Sequence, residues 1–156
     1  MLQPPTTTDA NEWHRYFAML GNNRAWELTV QEARTPVEDR ELLDLAHASA
    51  WHWAQVGNEL NRMRALMLLA EAHALAGDAG LAFDLAQEMR AWFLGRETPD
   101  WEVAFTHAIH AHCAHRAGHA ALHGESYLAA AQALAAIGDE EDRDIVARTF
   151  AHVPRP

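Results

Sequence analysis

The sequence contains no lysine, so all twelve of its basic residues are arginine. Schiff-base chemistry on a lysine and a nucleotide-binding P-loop both require that residue, and both are therefore excluded. Cysteine is almost as scarce, because Cys113 is the single one in the chain. One cysteine cannot form an internal disulfide or supply a thiolate zinc cluster.

Positive charge as a whole is also scarce, since the net charge is −10 with the histidines neutral. Binding to nucleic acid or to an anionic membrane surface needs a basic stripe, which the sequence lacks, so we expect neither partner. No apolar run approaches the ~20 residues of a membrane span. The opening stretch MLQPPTTTDA has neither the basic nor the apolar part of a secretory signal. We therefore expect a bacterial-type cytoplasmic location.

What the chain does have is regular punctuation by glycine. Apolar, alanine-rich segments end at Gly57, Gly77, Gly95, Gly118 and Gly138. Glycine ends helices because it adopts the left-handed C-terminal conformation without strain. Thr35, Pro36 and Glu38 have the pattern of a capping-box start, and Thr98 with Pro99 repeats the Thr-Pro start. These signals predict helices over residues 36–56, 59–76, 79–94, 99–117, 120–137 and 140–151.

Two further helical segments precede these six. DANEWHRYFAML places Trp13, Phe17 and Leu20 on one stripe, GNN at 21–23 predicts a break, and RAWELTVQEA predicts another short helix. No segment alternates apolar and polar residues with a period of two, so no strand is expected. The predicted fold is all-α, a single helical domain over residues 1–156. Residues 1–8 and 153–156 are expected to be flexible or extended tails.

The helical segments recur about every 20 residues, which suggests stacked helical hairpins. The stretch LMLLAEAHALAGDAGLAFDLAQEM resembles the tetratricopeptide-type repeat. The matching positions, taken together with the next hairpin, are Leu69, Ala70, Gly77, Ala82, Gly118, Tyr127 and Ala130. Departures fall at Ala86, Met89 and His123. The resemblance covers residues 66–135 and implies antiparallel hairpins in a right-handed array or an irregular bundle.

The chain as a whole also resembles a group of uncharacterised bacterial proteins. The stretches that carry this second resemblance are HASAWHW, WEVAFTHAIHAH and the terminal TFAHVPRP. No activity is attached to that group, so the likeness implies nothing about function.

One hypothesis for function is a non-enzymatic interaction module that binds a peptide or partner protein in a groove. Trp51 and Trp53 point about 200° apart on a helix, so one of them must face a neighbouring helix, a groove or a partner. Arg62 and Arg64 lie in the first turns of a predicted helix, where positive charge opposes the helix dipole. They are candidates for anion binding, and the alternative is an ion pair with a surface acid. A homodimer is also open, because a short helical stack exposes apolar end faces.

The alternative hypothesis is a small-molecule or metal-binding protein with a histidine-lined pocket between helices, and this form could also be an enzyme. Six of the eleven histidines lie from position 107 to position 123, and the first four of them are on the predicted helix 99–117, which is so apolar that it should be central. The last two, His119 and His123, lie beyond Gly118, in the turn or the next helix. His107 and His110 share one face of the helix 99–117, and with His47 and His73 they could hold a divalent metal. The signatures HExxH and ExxH are absent. A structural role for these histidines, with ring nitrogens bonded inside the core, is the competing interpretation.

Overall fold

The computed structural model describes residues 2–156, and within this range the chain is helical with no strand, which confirms an all-α protein. Residue 1 of the predicted N-terminal tail lies outside the described residues. The helices are α1 (Ala10–Thr29), α2 (Pro36–Val56), α3 (Glu59–Ala76), α4 (Ala79–Leu94), α5 (Asp100–Arg116), α6 (Ala120–Ala136) and α7 (Glu140–Phe150). The bounds of α2, α3 and α4 are those predicted, and those of α5, α6 and α7 differ by at most one residue at each end.

Short polar side chains explain where most of these helices begin. Thr35 and Glu38 form the predicted capping box at the start of α2. Asn58, Asp78 and Asp139 each accept a hydrogen bond from the backbone N–H three residues further on, before α3, α4 and α7. Such a cap contributes about 1 kcal/mol to helix stability. The helix starts were predictable because this capping is local in sequence.

The start of α5 departs from the prediction that Thr98 caps it. The Thr98 hydroxyl donates instead to the carbonyl of Phe93 at 2.6 Å, so it closes the end of α4. Helix α5 begins at Asp100 without a side-chain cap from its N-cap residue, Pro99.

Glycines end helices here for two different reasons. Gly118 has a φ of +79°, the left-handed conformation that the sequence predicted for all the terminal glycines. That prediction is wrong for Gly57, Gly77, Gly95 and Gly138, because Gly118 is the only glycine with a positive φ among residues 2–156. Two of the four, Gly57 and Gly77, have φ values of −79° and −126°. Glycine is needed at Gly57 and Gly77 because there is no room for a side chain. A Cβ on Gly57 would lie 2.6 Å from the Trp53 carbonyl oxygen, and one on Gly77 would lie 2.3 Å from His73 Nδ1.

The predicted break at residues 21–23 is wrong, because α1 runs uninterrupted from Ala10 to Thr29. Gly21 is buried, and a Cβ there would lie 3.0 Å from the carbonyl oxygen of Leu45 on α2. The glycine therefore permits a close crossing of α1 and α2 and does not end a helix. The short helix predicted from RAWELTVQEA is instead the last part of α1, which stops at Thr29.

Helix α5 is the central element of the fold, as its apolar sequence predicted. It contacts α3, α4, α6 and α7, and most of its residues are buried. Phe93, Met89 and Ile109 lie in the larger apolar core, while Leu28, Leu42 and Leu68 centre a second core among α1, α2 and α3. In the described part of the chain, no helix has the length and apolar character to cross a membrane.

The chain returns to the body of the molecule after α7. Val153 is buried, and the carbonyl of Pro154 accepts a hydrogen bond from His123 Nε2 at 2.8 Å. These contacts hold the C-terminal segment against α6.

Candidate functional site

Alternate helices of the chain enclose a cavity between them. Helices α1, α3, α5 and α7 contact one another in that order, and the cavity that they line has a volume of about 600 Å³. Trp26, Met67, Trp101 and Phe105 form its apolar walls. We call this cavity the groove. It gathers residues from four helices that are far apart in sequence.

Three aromatic rings fix the shape of the groove. The ring centroid of Phe105 lies 5.3 Å from that of Trp26 and 6.3 Å from that of Trp101, both nearly perpendicular. Edge-to-face pairs of this kind contribute roughly 0.5–1.5 kcal/mol each beyond area burial. Trp26 and Trp101 remain partly exposed, whereas Phe105 is buried. The groove therefore offers two partly exposed indoles braced from behind by a phenyl ring.

An ion pair forms the polar centre of the groove. Arg64 Nε donates to Glu102 Oε1 at 2.6 Å, and the Glu102 side chain is only 2% exposed. The guanidinium carbon of Arg64 also lies 5.4 Å from the ring centroid of Trp101. Removing the arginine would leave a buried carboxylate without a counter-charge, which is strongly unfavourable. Arg64 is therefore held in place from two sides.

The same ion pair borders a second cavity. This cavity has a volume of about 410 Å³ and shares Arg64 and Glu102 with the groove. Trp92 and Arg96 stand on its far side, with the guanidinium carbon 3.5 Å from the indole centroid. The two cavities adjoin, so a ligand longer than the groove could pass over Arg64 into the second one.

Of the four residues predicted from the sequence to line a groove, the structure places one there. Arg64 lies in the groove, whereas Arg62 donates to the carbonyl of Gly57 at 3.1 Å, at the end of α2. Trp51 is 57% exposed and packs its ring against His14 and His52. Trp53 is half-buried beside Gly57. Neither of these tryptophans lines the groove or the second cavity.

The predicted histidines form two separate pairs, of which the first joins α2 to α3. Nε2 of His47 lies 3.0 Å from Nε2 of His73. Nδ1 of His73 accepts a hydrogen bond from the backbone N–H of Asp78 at 3.3 Å, so its proton resides on Nε2 and is donated to His47. Burial and the charge of His47 lower the pKa of His73. Both ring nitrogens of His73 are therefore engaged, Nε2 by His47 and Nδ1 by the backbone of Asp78.

The second pair, His107 and His110, lies among α4, α5 and α6. His110 Nδ1 accepts from the Ser126 hydroxyl at 2.7 Å, and its Nε2–H donates to the side-chain oxygen of Gln87. The order serine, histidine, amide resembles a nucleophile with its base and orienting group. His110 and Ser126 are 0% and 1% exposed, however, so a substrate has no access to them. Burial, together with the charges of Arg90 and His107, lowers the pKa of His110 to about 4.

The four histidines predicted as metal ligands are therefore not gathered into one site. Within residues 2–156, no three His, Cys, Asp or Glu side chains are placed so that they could hold a metal ion together. The groove and the second cavity have no histidine in their walls.

A buried pair between α3 and α5 was missed by the sequence reasoning. His112 Nδ1 donates to both carboxylate oxygens of Glu71, at 2.9 and 3.0 Å, and the two residues are 4% and 1% exposed. The sequence signal for this pair is Glu71 itself, a lone carboxylate inside the apolar run LMLLAEAHALA, because a buried charge needs a partner. Neighbouring Cys113 takes no part, because its thiol donates to the Ala70 carbonyl at 3.6 Å.

Trp26 and Trp101 line the groove, and sequence reasoning did not select either of them. Each occupies an apolar position on its own helix, which is equally typical of a core residue. Only the assembly of α1 against α5 shows that their rings line a cavity. Comparison of the chain with protein-family models, curated proteins and solved structures finds no match.

Proposed function

We propose that the protein is a non-enzymatic helical-repeat module that binds a peptide, or an extended segment of a partner protein, in the groove. The observation that carries this proposal is the cavity of about 600 Å³ walled by Trp26, Met67, Trp101 and Phe105. Its volume lies within the range of about 300–1,000 Å³ typical of ligand sites. Partly exposed tryptophans in a concave wall are the residues that most often dominate binding energy.

The polar residues of the groove suit an extended chain. Asn22 and Asn23 stand at its edge on α1, and Arg64 crosses to the second cavity. Side-chain amides can donate to and accept from a peptide backbone, and they fix its register without demanding one sequence. A tetratricopeptide-like stacking of hairpins, with alternate helices lining the bound segment, is part of the same proposal.

A cytoplasmic location belongs to this proposal as well. The single cysteine is free and buried, so the fold needs no oxidising compartment.

The test is a selection of displayed random peptides against the purified protein, followed by affinity measurement on the selected sequences. Trp101→Ala should weaken their binding by about 2 kcal/mol, roughly thirtyfold in Kd, because it removes the central indole of the groove. Trp51→Ala is the matched control, since it deletes an exposed indole outside the groove. Circular dichroism would check that both variants are folded.

A second variant tests whether Trp101→Ala acts through the groove and not through a general loss of structure. Asn23→Trp places a bulky ring at an exposed position of the groove and should also reduce binding by occlusion. The proposal is wrong if both groove variants bind the selected peptides as tightly as the Trp51→Ala control.

A further inference from the structure

The surroundings of the groove are acidic. Glu27 lies in its wall with 67% of its side chain exposed. A shallow third cavity shares Ile145 and Arg148 with the groove and contains three further acids, namely Glu140, Glu141 and Asp144. The whole chain has a net charge of −10. The field at the mouth of the groove therefore attracts positive charge.

The arginines in the groove do not cancel this field. Arg64 is neutralised by Glu102, whose oxygen lies 2.6 Å from its Nε. Arg148 stands between the groove and the three acids of the third cavity, and Asp144 lies one helical turn before it on α7. Counting Glu27 and Glu102 with those three acids gives five negative charges against three positive ones, because Arg24 lies 3.4 Å from Glu27. Arg24 is itself shared with a further acid, Glu41, at 2.9 Å.

The aromatic walls of the groove also favour a positively charged ligand. Indole is the best ring for a cation above its face, because its quadrupole places negative charge there. The structure already contains one such contact, since the Arg64 guanidinium lies 5.4 Å from the Trp101 centroid. Trp26 has no arginine within a comparable contact in the described residues, although Glu27 follows it on α1.

From these observations we infer that the occupant of the groove is a basic peptide segment that alternates arginine or lysine with apolar residues. An apolar side chain packs against Met67 and Phe105, and a cationic one lies on the indole of Trp26 beside Glu27. Further cations pair with the acids at the start of α7. This inference rests on the proposed function, and it adds the charge and pattern of the ligand.

The experiment uses two labelled peptides of equal length, one alternating arginine with leucine and the other alternating glutamate with leucine. Fluorescence anisotropy against the full chain should show binding of the arginine peptide, at least tenfold tighter than that of the glutamate peptide. The affinity should fall as salt is raised, because exposed charges are screened. Trp101→Ala should weaken the arginine peptide and so place it in the groove.

Charge reversal supplies the matched variants. Asp144→Lys and Glu27→Lys should together weaken the arginine peptide by roughly tenfold. The control is Glu88→Lys, a single charge reversal away from the site. Glu88 is an exposed acid on α4 that lines neither the groove nor the third cavity, so its reversal should have little effect on binding. Asp144 is preferred to Glu140 and Glu141, because those two stabilise the first turn of α7.

The outcomes separate the two proposals. If the glutamate peptide binds in the groove as tightly as the arginine peptide, the inferred charge is wrong while the peptide-binding function stands. If random selection yields peptides but Asp144→Lys with Glu27→Lys leaves the arginine peptide unaffected, the charge is again wrong. If neither the labelled peptides nor any selected sequence depends on Trp101, both proposals fail.

Discussion

His110 and His112 lie two residues apart on α5, both buried, yet their pKa values move in opposite directions. Burial is the largest influence on His110 and lowers its pKa to about 4. Burial also acts to lower the pKa of His112, but the charge and hydrogen bond of the Glu71 carboxylate offset it, and the pKa is raised. The partner that faces each ring, and not the depth of burial, decides the sign of the shift.

The two regions therefore use histidine in different ways. Around His110 the network is neutral, because the Ser126 hydroxyl supplies the donor and the Gln87 amide oxygen the acceptor that the ring needs. Around His112 the network is ionic, and it places a carboxylate deep between α3 and α5. A neutral network loses hydrogen bonds when it is broken, whereas an ionic one leaves an unpaired charge.

The largest effect is expected from breaking the ionic region. His112→Leu removes the only side chain to which Glu71 is hydrogen-bonded within residues 2–156 and leaves a buried carboxylate without a counter-charge. We expect a loss of about 3–5 kcal/mol in the free energy of unfolding. Urea unfolding at neutral pH would measure it.

The control for this variant removes both charges. Glu71→Met combined with His112→Leu should recover most of the lost stability, because well-packed apolar side chains replace a buried ion pair at little cost. A double variant as unstable as the single one would show that packing, and not charge, dominates this region.

An intermediate effect is expected from the pH dependence of the neutral region. An unfolded histidine binds a proton below its ordinary pKa of 6.5, whereas His110 stays neutral down to about 4. The stability from His110 is therefore present above pH 6.5 and is lost as pH falls towards 4, by up to about 1.4 kcal/mol per pH unit. His110→Gln should flatten this decline, as measured by urea unfolding at pH 5 and pH 7.

His112→Gln is the comparison for that slope. The raised pKa of His112 contributes stability that is fully present below pH 6.5 and is lost as pH rises through its folded value. Its removal should therefore leave the decline between pH 6.5 and pH 5 in place and abolish a loss of stability above pH 6.5, whereas His110→Gln should do the reverse. Equal slopes in the two variants would contradict the contrast drawn between the two rings.

The smallest effect is expected at the histidine pair between α2 and α3. His47 is exposed, and its bond to His73 competes with water. His47→Ala should cost only about 0.5–1 kcal/mol, within the ordinary range for one partly exposed hydrogen bond. Thermal unfolding at neutral pH would detect it. A cost comparable to that of His112→Leu would contradict the expectation that a neutral, partly exposed hydrogen bond stabilises the fold less than a buried ion pair does.

The sequence predicted the elements better than their assembly. Helix bounds followed from local signals such as the capping box of Thr35 and Glu38, because its hydrogen bonds join residues only three positions apart. Gly21 was misinterpreted because its role depends on the Leu45 carbonyl of another helix. The same limit explains why Arg64 was selected for a groove while Trp101, which lies beneath it, was not.

Cys113 is placed so that its reactivity reports local opening of the protein core. The thiol is buried on the central helix, and burial, with the nearby Glu71 charge, raises its pKa well above the usual range. A thiol that is both inaccessible and protonated reacts with alkylating reagents only after α5 separates from its neighbours. Because the chain has no second cysteine that could react, the alkylation rate of the native protein measures how often its core opens.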